Sequence, residues 1–233
     1  MLKSLIQWFF PYICCLCEHQ AEGKQDLCAT CRHSLPWLEE RCYRCGLPTN
    51  SDIDSTNCQR CHETPPKFDR LCALFSYEPP LTKLIARLKF SGKLAYGRVL
   101  GELLLETVHT KWYLGKPLPQ AVIPVPLHTS RLQARGFNQS SELLWPLRKT
   151  GKIPIITNAC IRTRKTAHQA QLKKESRKRN MKGVFQVNKQ LPFEHIALMD
   201  DVVTTGSTVS ALSEVIKSNT AIDQIDIWCI CRA

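Results

Sequence analysis

Two adjacent acidic residues at the end of an apolar run form the most chemically informative part of this chain. The run Ile196–Met199 is short and apolar, which predicts a buried strand of a parallel sheet. Asp200 and Asp201 follow it, and ligands of open α/β sheets bind outside the carboxyl ends of the strands. Two neighbouring carboxylates at such a position can accept hydrogen bonds from vicinal sugar hydroxyls and can stand near a divalent cation.

The turn that follows the two acids has the composition of an anion site. Thr204, Thr205 and Ser207 supply hydroxyl donors, and Gly206 gives the backbone freedom to approach a ligand. Apolar residues then recur with a helical period up to Ser218, so the turn opens a helix whose first N–H groups and dipole attract anions. The alternative is an ordinary strand–loop–helix in which Thr205 or Ser207 only caps the helix.

This stretch resembles the signature of the type I phosphoribosyltransferases, which bind phosphoribosyl pyrophosphate together with Mg²⁺. The resemblance implies that the two acids meet the ribose hydroxyls and that the turn cradles the 5′-phosphate. The residues expected to bind phosphoribosyl pyrophosphate are therefore Asp200, Asp201, Val202, Val203, Thr204, Thr205, Gly206, Ser207 and Thr208.

A second polar loop is expected at the carboxyl end of another strand. The strand Ala121–Val125 contains the Pro-Val-Pro sequence at positions 124–126, and a loop rich in donors and cations follows. Arginine can bind phosphate oxygens through two parallel hydrogen bonds, so this loop suits a pyrophosphate. The candidate residues are Leu127, His128, Thr129, Arg131 and Arg135. A solvated loop whose arginines face water is the alternative.

Thirteen cysteines divide the chain, and ten of them lie before residue 73. Eight of these ten form four Cys-x-x-Cys pairs, a spacing that lets both thiolates of a pair reach one metal ion. The predicted metal ligands are Cys14, Cys17, Cys28, Cys31, Cys42, Cys45, Cys58 and Cys61. Gly46, directly after Cys45, suits the tight turn of such a knuckle.

The pairing of the four knuckles is left open by their spacing. Sequential pairing makes two zinc ribbons, but the gaps between knuckles are shorter than is usual, so a cross-braced pairing of first with third and second with fourth is the alternative. One ribbon could also lack its metal. Closed sites of four thiolates leave no coordination position for catalysis, which predicts structural Zn²⁺. A zinc module can also hold nucleic acid or a partner protein.

A strongly basic segment spans residues 162–182. It contains nine Lys or Arg residues and one Glu, and its charge of +8 is two-thirds of the net charge of +12 of the whole chain. Such a segment can close over a phosphate-rich ligand or lie along a nucleic-acid backbone, while a merely solvated charge run is the alternative. The candidate DNA-binding residues are Arg162, Arg164, Lys165, Lys173, Lys174, Arg177, Lys178 and Arg179.

The composition and the amino terminus bear on the cellular compartment. Hydrophobic residues make up 43% of the 233 residues, which is typical of a globular protein. The cysteines are spaced as metal ligands and no signal peptide precedes them, so a reducing cytoplasm is expected. The apolar start Leu2–Phe10 is too short to span a bilayer and predicts a short amphipathic helix. Contact of this helix with the inner face of the cytoplasmic membrane is the weaker alternative.

The elements that must position these residues alternate between strands and helices, which predicts an α/β fold with a parallel, doubly wound sheet. The prolines within Glu63–Lys67 mark a boundary, so residues 1–65 are expected to form a zinc-ribbon domain and residues 66–233 a phosphoribosyltransferase-like domain. Further strands are predicted at Leu71–Tyr77, Ile153–Thr157 and Ile225–Ile230. Helices are predicted to begin near Leu81 and to cover Val99–Val108, Ser140–Leu147 and Ser207–Ser218.

The combined motifs resemble the ComF family of competence proteins, including its GntX-like relatives. They are the four cysteine pairs, the Pro-Val-Pro loop with Arg-Gly-Phe-Asn-Gln at positions 135–139, the Arg-x-x-Asn-x-x-Gly-x-Phe pattern from Arg177 to Phe185, and the acid–hydroxyl stretch. The resemblance covers nearly the whole chain. It implies a zinc-ribbon head on a phosphoribosyltransferase-type domain, a role in natural transformation that handles incoming single-stranded DNA, and a helicase-like competence ATPase as partner.

An active Mg²⁺-dependent phosphoribosyltransferase that acts on a nucleobase-like acceptor is the alternative function. The acids suit the positive charge that develops on the ribose, and Mg²⁺ with Arg131 and Arg135 suits the leaving pyrophosphate. No residue can be assigned as general base from the sequence. His128 and His168 are the two candidates, and a single histidine in a loop is more often a bystander.

Overall fold

A parallel sheet of four strands forms the centre of the molecule. The computed structural model describes residues 11–22, 25–48, 57–164 and 183–233. The strands of the sheet are β1 (Arg70–Ser76), β2 (Ala121–Pro124), β5 (His195–Val203) and β6 (Gln224–Arg232). They lie in the order β1–β6–β5–β2, and every neighbouring pair is parallel. The predicted α/β class with a parallel sheet is confirmed.

Both faces of the sheet are covered, which explains why its strands are apolar without interruption. Successive residues of β5 belong alternately to two buried clusters: Ile196 and Leu198 lie in one, and Ala197 and Met199 lie in the other. Side chains alternate between the faces of a strand, so these clusters are the cores on the two sides of the sheet.

Helices cover these cores. Helix α3 (Leu81–Ser91) begins where predicted and buries Leu81, Leu84, Ile85 and Leu88. It is followed by α4 (Leu94–Thr107) and by a π-helical turn over Val108–Trp112. Helix α8 (Ser207–Asn219) follows the acid-bearing strand, as the apolar period predicted.

The single helix predicted over Ser140–Leu147 is wrong. Three short helices follow β2, namely α5 (Thr129–Arg135), α6 (Gln139–Leu143) and α7 (Trp145–Thr150). Pro146 lies in the first turn of α7 rather than near the end of a longer helix. Proline has no N–H to donate, so it suits the first turn of a helix and interrupts a helical interior.

The strand predicted at Ile153–Thr157 forms only one bridge. Ile155 pairs with Val122, and the Ile156 amide donates to the Val122 carbonyl at 2.9 Å. A two-stranded antiparallel sheet, which the sequence did not predict, lies nearby and is made of β3 (Cys160–Arg162) and β4 (Phe185–Val187). Its strands flank residues 163–184 in the chain.

The cysteine-rich part contains two short helices, α1 (Ala29–His33) and α2 (Gln59–Glu63), and packs on β1. The rings of Trp37 and Phe75 lie 4.6 Å apart between centroids, and the Leu38 amide donates to the Leu74 carbonyl at 2.9 Å. The division of the chain near residue 66 stays a prediction. The helix predicted over Leu2–Phe10 lies outside the described residues, and none of the described helices is long and apolar enough to cross a membrane.

Candidate functional site

The two acids lie within β5 rather than after it. The predicted strand ends at Met199, but β5 continues through Asp200 and Asp201 to Val203, because its far half still pairs with β6. On the other side β2 stops at Pro124, opposite Met199. The acids therefore extend past the end of β2 and line a cleft at the carboxyl end of the sheet.

This cleft has a volume of about 490 Å³ and collects residues from both predicted loops. Its polar and charged lining residues are Lys89, Arg131, Arg135, Gln139, Arg162, Asp200, Asp201 and Thr208. Four cations and two acids in one cavity suit a ligand that carries both phosphate and hydroxyl groups. The two predicted loops therefore come together at one place.

Asp201 is held by side chains from two helices. The Nζ atom of Lys89, in α3, forms an ion pair with Oδ2 of Asp201, and the Gln139 amide donates to Oδ1 at 3.4 Å. Gln139 in turn accepts a hydrogen bond from the guanidinium of Arg135. Because the Asp201 side chain is only 5% exposed, these contacts compensate for the water that its carboxylate loses.

Asp200 lies in an environment that favours its neutral form. Burial, and next the negative charge of Asp201, raise the pKa of Asp200 to about 8, against the opposing charge of Lys89. The Ser140 hydroxyl lies 3.4 Å from its Oδ1 atom, which also accepts the Asp201 amide at 2.9 Å. The two acids thus differ: Asp201 has a cation beside it, whereas Asp200 holds its proton to unusually high pH.

Residues 204–208, which we call the hydroxyl loop, form the predicted turn between β5 and α8. Gly206 has a φ of 75° and caps the helix, a conformation that glycine adopts at little cost. The Thr205 hydroxyl lies 2.8 Å from that of Ser207 and accepts the Ser207 amide at 3.3 Å. Val202 and Thr208, on either side of the turn, line the cleft.

The residues predicted to bind pyrophosphate divide into two groups. Leu127, Arg131 and Arg135 line the cleft. His128 and Thr129 are not among its lining residues; His128 caps α5, and its Nδ1 atom accepts the Ser130 amide at 3.2 Å. A capping role accounts for this histidine without any proton transfer.

The basic segment is described only at its start. Arg162 ends β3, lines the cleft and is 8% exposed, and burial lowers the pKa of its guanidinium, with Arg131 contributing in the same direction. Arg164 is exposed at the surface. Six of the predicted DNA-binding residues lie outside the described residues, together with His168: Lys165, Lys173, Lys174, Arg177, Lys178 and Arg179.

The eight knuckle cysteines form two groups, and the sequential pairing is confirmed. The first four-cysteine site consists of Cys14, Cys17, Cys28 and Cys31, and the second of Cys42, Cys45, Cys58 and Cys61. In each group the four Sγ atoms lie within 4.8 Å of one another, so the cross-braced alternative is wrong. The other cysteines read as non-ligands, among them Cys15, belong to neither group.

The sulfur separations fit zinc. Zn–S bonds of about 2.3 Å at tetrahedral angles place sulfur atoms about 3.8 Å apart. The Sγ atoms of Cys17 and Cys28 are 3.7 Å apart, those of Cys45 and Cys58 are 3.7 Å apart, and those of Cys42 and Cys61 are 3.9 Å apart. The donor set therefore matches two structural zinc sites.

Backbone amides prepare one cysteine of each site for metal binding. Burial opposes ionisation of the buried Cys14 thiol, but the amides of Cys17, Cys28 and Leu16 outweigh it and lower its pKa to about 6. Burial opposes ionisation of Cys42 as well, and the amides of its own site lower its pKa to about 7. Thiolates are the metal-binding form, so each site begins with a cysteine that ionises readily.

Sequence reasoning missed two residues at the cleft, Lys89 and Phe90. Lys89 lies four residues after the buried Ile85, where the apolar stripe of α3 would continue, and a cation at such a position was the available signal. Phe90 lines the cleft although its side chain is 76% exposed, and the Arg135 guanidinium lies 5.6 Å from its ring centroid. The sequence carried no comparable signal for Phe90.

Comparisons with known proteins agree with the cysteine geometry and extend over the whole chain. A family model described as a double zinc ribbon domain matches residues 5–62. The chain is 38% identical over 225 residues to DNA utilization protein YhgH of Escherichia coli strain K12, which covers 95% of this chain and 97% of that protein. It is 35% identical to the protein of the same name from Salmonella typhi, with coverage of 95% and 97%. Competence protein F of Haemophilus influenzae is 31% identical over 97% of this chain and 99% of its own length.

Proposed function

Because this chain belongs to the family of DNA utilization protein YhgH and Competence protein F, we propose that it acts in the utilization of incoming DNA during competence. We propose further that its cleft binds a phosphorylated pentose, with phosphoribosyl pyrophosphate as the ligand that suits it best. The observation that carries this second proposal is the meeting of the acid pair and the hydroxyl loop with Arg131 and Arg135 in one cleft.

Each part of this ligand has a chemical counterpart in the cleft. Vicinal ribose hydroxyls can donate to the carboxylates of Asp200 and Asp201. The 5′-phosphate suits the start of α8, where the first helical amides have no partner within the helix. The pyrophosphate suits Arg131 and Arg135, because guanidinium groups bind phosphate oxygens in pairs of hydrogen bonds.

Mg²⁺ fits this cleft only as a companion of the ligand. Among the residues that the structure describes, groups of three or more potential metal ligands occur only at the two four-cysteine sites. Asp201 is already paired with Lys89, which leaves Asp200 as the carboxylate best able to face a cation. Mg²⁺ commonly uses one or two carboxylates together with substrate phosphates, so we expect the pyrophosphate to bring it.

Calorimetry tests the ligand. Titration of phosphoribosyl pyrophosphate into the zinc-loaded protein should show saturable binding that strengthens with Mg²⁺. The double variant Asp200→Ala with Asp201→Ala should bind at least about tenfold more weakly, the loss of about 1.4 kcal/mol expected when hydrogen bonds to charged groups are removed. Leu114→Ala, which changes an exposed residue outside the cleft lining, is the control. Absence of binding in the wild-type protein would refute the proposed ligand.

Single-stranded DNA is the proposed macromolecular ligand. Basic residues interleaved with an exposed aromatic ring suit single strands, because the backbone binds cations and the bases stack on rings. Arg162, Arg164 and Phe90 supply this combination at the edge of the cleft, and the rest of the basic segment carries further charge.

Fluorescence anisotropy with a labelled oligonucleotide tests the DNA proposal at two points. Neutralising Lys173, Lys174, Arg177 and Arg179 together should weaken binding and flatten its salt dependence by about 0.7 per lost phosphate contact. Phe90→Ala should weaken binding about fivefold or more through lost stacking, whereas Leu114→Ala, at 71% exposure against 76% for Phe90, should not. Unchanged affinity in both the charge variant and Phe90→Ala would contradict the proposal.

Phosphoribosyl transfer is the second candidate function, and the joint presence of acids and cations in the cleft favours it. The transition state gathers positive charge on the ribose and negative charge on the leaving pyrophosphate. Pyrophosphate release from phosphoribosyl pyrophosphate, measured with Mg²⁺ and a panel of nucleobases, tests it. A ligand that binds without any release would leave a binding protein rather than a transferase.

Two further associations are part of the proposed role. A helicase-like competence ATPase is the expected protein partner, and co-purification from competent cells checks it. Contact with the inner face of the cytoplasmic membrane would involve the apolar residues 2–10. Vesicle sedimentation with and without these residues measures that contact.

A further inference from the structure

A buried arginine joins the second four-cysteine site to the hydroxyl loop. Arg232, near the end of β6, is only 4% exposed. Its Nε atom donates to the carbonyl of Cys45 at 2.8 Å, and its Nη1 atom donates to the carbonyl of Val203 at 2.9 Å. The same Nη1 atom also donates to the carbonyls of Thr204 and Ala233. One guanidinium therefore holds both a metal-binding residue and the backbone that leads into the loop.

The charge of Arg232 needs compensation, and the second four-cysteine site supplies it. No carboxylate of the described residues forms an ion pair with Arg232. Burial lowers the pKa of the guanidinium, while the nearby thiols of Cys229, Cys45 and Cys61 act in the opposite direction. Four thiolates around one Zn²⁺ carry a net charge of about −2, so a zinc-loaded site favours a buried cation beside it.

The first four-cysteine site has no such connection among the described residues. Its surroundings join the core on one face of the sheet, where Cys14 packs with Leu27, Leu35 and Leu74. The backbone bonds printed for its cysteines stay within residues 11–33, for example from the Cys15 amide to the Asp26 carbonyl at 2.9 Å. The two sites therefore differ in what they touch, although their sulfur geometry is the same.

We propose that Arg232 is a positioning residue through which the second four-cysteine site fixes the hydroxyl loop in its ligand-binding conformation. When the site holds zinc, Cys45 is fixed, Arg232 is fixed by its carbonyl, and Val203 and Thr204 are clamped between the cleft residues Val202 and Thr208. Loss of the metal removes both the compensating charge and the fixed carbonyl. The identity of the ligand in this inference rests on the function proposed above; the clamping of the loop does not.

A matched pair of cysteine variants tests the proposal. Cys28 and Cys58 are equivalent: each is a half-buried ligand at the N-cap of a five-residue helix, with backbone angles of −75°/159° and −73°/157°. Cys58→Ser should weaken binding of phosphoribosyl pyrophosphate about tenfold, within the usual range of coupling between sites, and Cys28→Ser should change it less than about threefold. Arg232→Lys, which keeps all eight cysteines and the charge, should weaken binding to a similar extent as Cys58→Ser.

Hydrogen exchange of the ligand-free proteins gives the second measurement. Cys58→Ser and Arg232→Lys should accelerate exchange in the peptide that covers residues 202–208 and leave α3 unchanged, whereas Cys28→Ser should leave residues 202–208 as in the wild type. Wild-type exchange at residues 202–208 in both Cys58→Ser and Arg232→Lys would overturn the proposal, whatever the ligand. Failure of the wild-type protein to bind phosphoribosyl pyrophosphate would refute the proposed ligand, while accelerated exchange in these variants would still support the clamp.

Discussion

The two four-cysteine sites share one coordination geometry but are embedded in different ways. The first lies against the main core, where Cys14 packs with residues of β1 and the covering helices. The second forms a small cluster of its own, in which Cys42, Cys45 and Cys61 pack mainly with Leu47 and Cys58. Identical metal sites can therefore have different roles: we expect the first to stabilise the whole chain and the second to act on the cleft through Arg232.

The largest expected effect separates the sites by stability. Cys14 and Cys42 are ligands of equal burial, at 0% and 1% exposure. Cys14→Ser should lower the free energy of unfolding by on the order of 4 kcal/mol, because metal loss also disrupts the main core, and Cys42→Ser by about half of that. Urea denaturation followed by tryptophan fluorescence measures both. Equal losses would remove the distinction between an embedded site and a separate one.

A smaller effect is expected at the contact between the second site and β1. Gly46 follows Cys45 with a φ of 67°, and a Cβ atom there would lie 2.4 Å from Cδ2 of Leu71. Gly46→Ala should destabilise the protein by about 3 kcal/mol, through the left-handed backbone and the crowding of a buried leucine. Thermal unfolding measures the change. Leu71→Ala combined with Gly46→Ala relieves the crowding and isolates the backbone contribution.

The pH dependence of ligand binding distinguishes action on the loop from action on the acids. Asp200 must be ionised to accept sugar hydroxyls or face Mg²⁺, and its pKa is raised to about 8 in the folded protein. Affinity for phosphoribosyl pyrophosphate with Mg²⁺ should therefore rise with pH, by up to about tenfold per unit, and level off above that pKa. Asp200→Asn should retain only the pH dependence that comes from the ligand phosphates.

The same profile in Cys58→Ser sharpens the comparison. If the second site acts on the backbone of the hydroxyl loop, the affinity falls but the pH at which it levels off stays the same. A shift of that pH would mean that the site acts on the acid pair instead.

The smallest expected effect concerns the residue after each second knuckle cysteine. Glu18 follows Cys17 with a φ of 63°, in the position that Gly46 holds at the second site. Glu18→Gly should stabilise the protein by roughly 1 kcal/mol, because glycine adopts this conformation without strain. Thermal unfolding at matched zinc saturation measures it. A destabilised variant would mean that the Glu18 side chain contributes more than its backbone costs.

The parts of the fold that local pattern determines were predictable from the sequence. The cysteine spacing predicted the eight ligands, and the apolar runs predicted β1, β5 and β6 because strands covered on both faces are apolar throughout. The acid pair and the hydroxyl loop were placed correctly at the carboxyl end of the sheet. The end of β5 was placed too early, because Asp200 and Asp201 are polar and yet continue the ladder with β6.

The parts that depend on distant contacts were not predictable. Lys89 reaches Asp201 across 112 positions of sequence, since 201 − 89 = 112, and only the packing of α3 against the sheet brings them together. Arg232 reads locally as the end of a buried strand, and its bonds to Cys45 and Thr204 depend on three separate segments meeting. Pairing of β3 with β4 likewise joins short runs that have no local hairpin signal.

The packing of Cys14 into the main core makes zinc a ligand of the folded state as a whole. Its cluster includes Leu27, Leu74 and Trp228, so the first site cannot open without exposing apolar surface of the sheet. By mass action, a ligand that binds only the folded state stabilises it by about 1.4 kcal/mol for each tenfold rise in free concentration above its Kd. The concentration of free Zn²⁺ around the chain thus sets how much of it is folded.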